Sequence, residues 1–429
     1  MSEGTPLDYQ SVPPPTGPPR GALGVIFFVV FMDLLGFGII IPLLAFYVPD
    51  FQRNPMKVTA LFSVYSICQF IGAPILGMVS DRFGRRPVLA LSQAGSALGY
   101  VLLAFAGFHW QDPSTKLWFV YASRIIDGFT GGNISTAQAY VSDVTTPQNR
   151  ARGMGLLGAA FGIGFSAGPA LGGVLGHWSL ALPGWVAAAL AAAAAVFSYT
   201  RLPETQTHAH SEMENWLHPS RFVPILRKPV LVQLLVISFC VMSAFVMMES
   251  TITLFLNNVF GWQELKVGWY FAFIGLIIII VQGGLIGRLT KRLGDWPLAI
   301  LGPVLVAAGM CGYVGVGFAA SVALLLVSGA TNAVGRSFQQ PTMSSLISKF
   351  AARNEQGVAF GLYHGLGSLA RVAGPVLAGL AYPFLRNSGQ FVLAAAIAVA
   401  MAVWTAALRQ PTPDQAANDT QQEAALQRG

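Results

Sequence analysis

The sequence predicts an all-α membrane protein of twelve transmembrane helices arranged as two six-helix pseudo-repeats. Three observations carry that expectation. Hydrophobic residues make up 54% of the 429 and charged residues only 10%, whereas a soluble protein carries about 25% charged residues. Twelve apolar runs succeed one another, each near the roughly 20 residues that cross about 30 Å of hydrocarbon. Patterns in the first six runs also return in the second six at a nearly constant offset.

In chain order, residues 1–20 include SVPPPTGPPR and read as a disordered, proline-rich cytoplasmic tail. They lack an apolar core and a cleavage pattern, so they are not a signal peptide. The N-terminal bundle, 21–201, holds spans 1 to 6 at 22–47, 58–80, 87–108, 117–142, 152–176 and 183–201. A polar central loop, 202–228, is the longest break between spans. The C-terminal bundle, 229–408, holds spans 7 to 12 at 230–258, 266–289, 297–318, 320–348, 356–383 and 390–408, and a second polar tail follows at 409–429. These runs are too long for barrel strands and show no period-two alternation.

Positive charge orients the spans. With the N-terminus cytoplasmic, 17 Lys and Arg fall in cytoplasmic segments and 5 in external loops, so both termini are expected inside. A net charge of +7 raises the question of nucleic acid. The basic residues are spread through short loops between apolar runs, however, and no nucleic-acid partner is expected. Cys68, Cys240 and Cys311 all lie in apolar runs and read as small buried hydrophobes, not as a disulfide framework. His208 and His210 stand in the central loop without companions at ligand spacing, so no metal site is expected.

The repeat is read residue by residue. GMVSDRFGRRP (77–87) returns as GRLTKRLGDWP (287–297) at an offset of 210, and Gly168-Pro169 returns as Gly374-Pro375 at 206. Gly155 and Gly173 return as Gly361 and Gly379. Parallel six-helix repeats suit a carrier whose halves rock about a site near the midplane. Span 5 carries Gly155, Gly164, Gly168, Pro169, Gly172 and Gly173. Glycines cost a helix in water roughly 0.8–1 kcal/mol each, but in a bilayer they let a neighbouring backbone approach closely. Pro169 frees the Phe165 carbonyl and permits a bend. Span 5 is thus expected to be a packing and hinge helix.

These residues also carry a resemblance. Gly77, Asp81, Arg82, Gly84, Arg85 and Arg86 resemble the loop 2–3 motif of the major facilitator superfamily, and Arg124-x-x-Asp127-Gly128 resembles its span 4 motif. Residues 155–173 resemble the span 5 motif of its proton-coupled drug exporters, and Asp33-Leu-Leu-Gly36-x-Gly38-x-x-x-Pro42 resembles span 1 of twelve-span exporters. The resemblance covers about 21–408 and is nearest to tetracycline/proton antiporters. It implies a cytoplasmic latch in which Asp81 faces a helix N-terminus and the arginines reach Asp143. Lys291 replaces Asp81 in the second repeat, so that latch is expected on one side only. Gly99-Tyr100 stands where those pumps have an acidic residue before a tyrosine, and Ile278 where they have a histidine. The implied class is therefore the broader one of drug exporters.

An ionisable group at a span centre costs roughly 2.5–3.5 kcal/mol on insertion scales, so each is a functional candidate. Asp33, Arg124, Asp127 and Glu249 are the proton-coupling candidates, with Arg124 the expected partner of Asp33. The structural alternative is a fixed buried ion pair. Glu249, Arg336, Gln340 and Arg371 are the substrate-cavity candidates, either contacting cargo or neutralising one another. No Walker-type loop and no nucleophile–base constellation are present, which excludes ATP as the energy source and gives no support to an enzyme. The expectation is a monomeric exporter in a bacterial cytoplasmic membrane, with lipid around it and no cofactor. It exchanges protons, driven by their gradient, for small lipophilic and cationic compounds. The alternative is a proton-linked or facilitative transporter of a small metabolite.

Overall fold

The computed structural model describes residues 21–108, 112–145, 149–205, 223–352, 355–385 and 387–408. Both expected tails and most of the central loop, with His208 and His210, lie outside the described residues. Among those residues, twelve helical rods occupy the twelve predicted intervals. Nine of them are long and apolar enough to cross a membrane by length and composition. The other three are spans 4, 10 and 11, the three that carry Arg124, Arg336 and Arg371.

Several rods run beyond their predicted limits or break within them. Span 1 is an α-helix over Ala22–Ile40 that tightens into a 3₁₀ segment, Ile41–Tyr47, with Pro42 at its start. Span 2 covers Pro55–Phe83 and span 3 Arg85–Ala106, hinged by Gly84 at φ +103°. Span 4 begins at Pro113, earlier than hydropathy indicates. The Asp112 carboxylate caps it by accepting the N–H groups of Ser114 and Thr115 at 3.1 and 3.0 Å. It breaks at Gly131–Asn133 and resumes over Ile134–Asp143. Span 5 is one helix, Arg150–Trp178, with Pro169 inside it, and span 6 is Ala181–Arg201. In the second half, spans 7 and 9 to 12 are Pro229–Phe260, Asp295–Ala319, Val322–Phe350, Gln356–Ala381 and Gly389–Ala407. Span 8 runs from Glu264 to Leu293 through a π-helical turn at Val281–Leu285.

The two halves repeat the same packing: span 1 lies on 5 and 6, and span 3 on 4 and 6, as 7 lies on 11 and 12, and 9 on 10 and 12. Two extensive contacts join the halves, span 5 with 8 and span 2 with 11, and smaller ones link span 1 with 7 and 8 and span 2 with 7. Glycine makes the first of these possible. A Cβ at Gly268 would lie 2.6 Å from the Pro169 carbonyl oxygen, and one at Gly173 would lie 2.8 Å from Gly268 Cα. Span 5's other face meets span 1 as closely: a Cβ at Gly168 would lie 2.7 Å from the Gly38 carbonyl carbon, and one at Gly164 2.9 Å from Leu34 Cβ. At Gly172 it would collide with the Ile39 carbonyl oxygen.

Gly155 departs from the expected packing role. A Cβ there would meet nothing within 4 Å, as is also true of Gly77, Gly158, Gly287 and Gly361, all near the end of the bundle that carries both chain termini. The hydrogen bonds between halves lie toward the opposite end. Gln52 Nε2 donates to Asn257 Oδ1 at 2.5 Å, the Thr253 hydroxyl to the Pro42 carbonyl at 3.0 Å, and the Ser63 hydroxyl to the Val372 carbonyl at 3.1 Å. Among the described residues, the two halves are therefore sealed at the far end and parted at the end where span 1 begins and span 12 ends.

Gly172→Ala is expected to destabilise the purified protein by about 1–3 kcal/mol, the usual scale of overpacking, while Gly155→Ala is expected to be neutral. Thermal unfolding of both variants in one detergent checks the contrast.

Candidate functional site

Span 4 shapes the N-terminal half of the site. Its break at Gly131–Asn133 releases backbone carbonyls that hydrocarbon cannot satisfy, and neighbouring spans satisfy them. Gln69 Nε2 donates to the Gly131 carbonyl at 3.2 Å and the Ser92 hydroxyl donates to that of Thr130. Gly132 permits the approach of span 2, since a Cβ there would lie 2.7 Å from Ala73 Cα. The break also turns the buried Asn133 toward span 1, where its Nδ2 donates to Asp33 Oδ2 at 3.4 Å.

Asp33 lies eleven residues into span 1 and is half-buried. Arg124, its expected partner, is not within ion-pairing distance. It contacts Asp127 at 3.3 Å, with both side chains 2% exposed, and donates to the Ser123 hydroxyl at 3.0 Å. The Arg124–Asp127 contact satisfies charge but not direction: Asp127 Oδ2 and Arg124 Nε both lack a hydrogen-bond partner among the described residues. Tyr65 and Tyr100 face the guanidinium, with ring centroids 5.8 and 5.9 Å away. Gly99 is also explained here, because a Cβ at that position would lie 2.9 Å from Asp127 Cβ. An acidic side chain at 99 and the one at 127 exclude each other.

On the opposite wall Glu249, Arg336 and Arg371 come from spans 7, 10 and 11. No ion pair closes among the three. Arg336 instead lies over the Phe245 ring, 4.8 Å from its centroid, with an Nη 3.0 Å from the Met242 sulfur. Arg371 is exposed, and so is Gln340. Its neighbour Gln339 is buried with neither amide atom bonded.

The loop between spans 2 and 3 is a local network. Arg85 binds Asp81 at 2.6 Å and Asp143 at 3.3 Å, and donates to the Ser80 hydroxyl at 2.7 Å. Arg82 and Arg86 do not reach Asp143; they lie over the rings of Phe83 and Tyr199 at 5.4 and 4.7 Å. Asp81 engages Arg85. The carboxylate at a helix N-terminus is that of Glu204, which accepts the N–H groups of Arg85 and Arg86 at 2.9 and 3.1 Å. Gly84 is required twice, by its positive φ and by a Cβ that would lie 2.5 Å from Glu204 Oε2.

The expectation of a one-sided latch needs correction. Gly294 repeats the positive φ of Gly84, and Asp295, at the position of Arg85, binds Lys349 at 2.5 Å, at the position of Asp143. The second repeat holds the same pair with the charges exchanged. Sequence reasoning missed it by comparing Lys291 with Asp81 alone. It missed Glu204 too, although LPET directly after span 6 offered a carboxylate there.

A family model described as "Major Facilitator Superfamily" matches residues 26–319 and 285–428. Tetracycline resistance protein, class C, of Escherichia coli is 30% identical over 83% of this chain and 89% of its own. The class D protein of Salmonella ordonez is 33% identical over 81% and 86%. Major facilitator superfamily domain-containing protein 10 of Bos taurus is 30% identical over 85% and 88%. Among solved structures, the human organic anion transporter MFSD10 (TETRAN) is 25% identical, with a TM-score of 0.67 over 92% of this chain and all of that one. The nucleoside transporter NupG, at 14% identity and a TM-score of 0.72, shares the fold.

Glu204→Gln removes a charge from a helix N-terminus and is expected to cost about 0.3–1 kcal/mol. Gly84→Ala, which meets both backbone strain and Glu204, is expected to cost more. Melting temperatures of the two purified variants in the same buffer check the order.

Proposed function

The chain belongs to the Major Facilitator Superfamily, and from that premise we propose that it is a proton-coupled exporter of lipophilic organic compounds that works by alternating access. It is a multi-pass membrane transporter, with transport and not chemical conversion as its activity. The end bearing the termini faces the cytoplasm, as its positive charge argues, and the membrane is a bacterial cytoplasmic one. The chain acts as a monomer without a cofactor and draws on the proton gradient. Relatives named for tetracycline resistance support drug-like cargo.

The observation that carries the coupling is Asp33. It is a mid-span carboxylate held by one amide contact at 3.4 Å, beside an Arg124–Asp127 pair with unspent hydrogen-bonding capacity. While the cavity is open to water, the Asp33 charge remains partly solvated. Closing the halves around it removes that water, and leaving a charge there costs several kcal/mol. Moving Arg124 from Asp127 toward Asp33 removes the cost when cargo is aboard, and protonating Asp33 removes it on the empty return, so protons enter as cargo leaves. Closure is thereby tied to proton occupancy. The route runs from the cytoplasm into the parted end, past this site, and out when the sealed contacts of spans 5 with 8 and 2 with 11 open.

Expressed in a pump-deficient bacterial strain, the chain is expected to lower accumulation of tetracycline or lipophilic dyes several-fold, and an uncoupler is expected to restore it. Unchanged accumulation, or export that survives the uncoupler, overturns the reading and leaves facilitative transport of a metabolite as the better one. Asp33→Asn is expected to reduce export at least tenfold while a bound dye still titrates the purified protein.

A further inference from the structure

Resting on that reading but concerning what the cavity binds, we propose that Arg371, with Arg336 beside it, is a binding site for the anionic group of an amphipathic organic anion. Arg371 lies fifteen residues into span 11, near mid-depth, and is exposed. A guanidinium at that depth is exposed either to lipid or to the cavity. Span 11 packs on span 7 within its own half and on span 2 across the junction. Those two spans belong to opposite halves, and residue 371 lies beside the positions of span 11 that meet them, so Arg371 faces the cavity. Span 11 is turned accordingly: Gly374 packs on Ser243 and Val246 of span 7, and the Val372 carbonyl accepts from Ser63 of span 2.

Charge balance decides the sign of the cargo. Across the cavity, Arg124 and Asp127 neutralise each other, leaving Asp33 to the proton. The C-terminal wall holds two guanidinium groups against one carboxylate, and none of the three forms an ion pair. Glu249 invited a cation when read from the sequence, but here it is outnumbered by the two guanidinium groups of spans 10 and 11. Arg336 is fixed over Phe245 and Met242 and can shift little, whereas Arg371, exposed and without a hydrogen-bond or ion-pair partner among the described residues, is free to meet a ligand. A guanidinium presents a planar pair of donors that fits a carboxylate or sulfonate. Phe245 and Met242 next to it offer an apolar surface for the rest of the molecule. Placing a ligand anion there would also neutralise the excess charge before the halves close.

The test uses full-length protein in nanodiscs and two dansyl probes that differ by one charge, dansylglycine and dansylglycinamide, titrated by fluorescence. The wild type is expected to bind the carboxylate at least tenfold more tightly than the amide. Arg371→Gln is expected to abolish that preference and Arg371→Lys to keep part of it; the ratio of two ligands on one sample is insensitive to partial loss of folded protein. Equal affinities in the wild type, no binding of either probe, or a preference that persists in Arg371→Gln with Arg336→Gln overturns the site. Uncoupler-sensitive export of a cationic dye with no preference for the carboxylate would overturn this inference alone. A clear preference with uncoupler-insensitive export would overturn the proton-coupled reading and leave the site standing.

Discussion

The close contact of span 5 with two neighbours at once is the constraint on which the rest of the architecture depends. Gly164, Gly168 and Gly172 follow at intervals of four and form one face against span 1, while Pro169 and Gly173 meet Gly268 of span 8 on another. Lipid tails are as apolar as the side chains they surround, so helices in a bilayer gain little from hydrophobicity and must gain from close packing. A larger side chain at any of these positions would force apart either span 1 or span 8. The first would loosen the N-terminal bundle, and the second would unseal the far end. The same helix thus holds its own half together and forms half of the junction with the other.

Most of the scaffold was legible in the sequence because membrane helices obey one coarse rule, a sufficient length of apolar residues, which survives without tertiary information. The failures occurred where a residue's meaning depends on its neighbour across a contact. Gly155 and Gly172 look alike in the sequence, yet only Gly172 lies against another backbone. The break in span 4 was invisible because 117–142 was read as one continuous span, and so Asn133 was not seen as the partner of Asp33. Gly99 read as a missing acid. The structure gives it a positive reason, since Asp127 occupies the space above it.

The loop pairs show what the repeat retains. Arg85 with Asp143 became Asp295 with Lys349, each preceded by a glycine at positive φ. An attraction between two charges is unchanged when both signs are reversed, so the fold constrains the product of the charges and leaves each sign open. What does change is the field around the loop. In the first half the exposed end of the pair is the carboxylate Asp143, with Asp81 and Glu204 nearby; in the second, Lys349 is the exposed member and Asp295 is buried. The second copy therefore adds positive charge to the outside of the bundle end while keeping its bracing contact.

The same reasoning applies to the membrane interior, where charge is most expensive. The three rods that fall short of a simple apolar span are those that bear Arg124, Arg336 and Arg371. Composition alone would count this as weakness, since each charge costs roughly 2.5–3.5 kcal/mol on insertion scales. Only one of the three costs is offset within its own half by an opposite charge in contact, that of Arg124 by Asp127. Arg336 is offset in part by an aromatic face and a sulfur, and Arg371 by the open cavity. The last offset disappears when the halves come together, because closure expels the water that solvates it. With alternating access as proposed, a cavity so built would be more stable open than closed until something negative enters it, and closure would then be conditional on cargo.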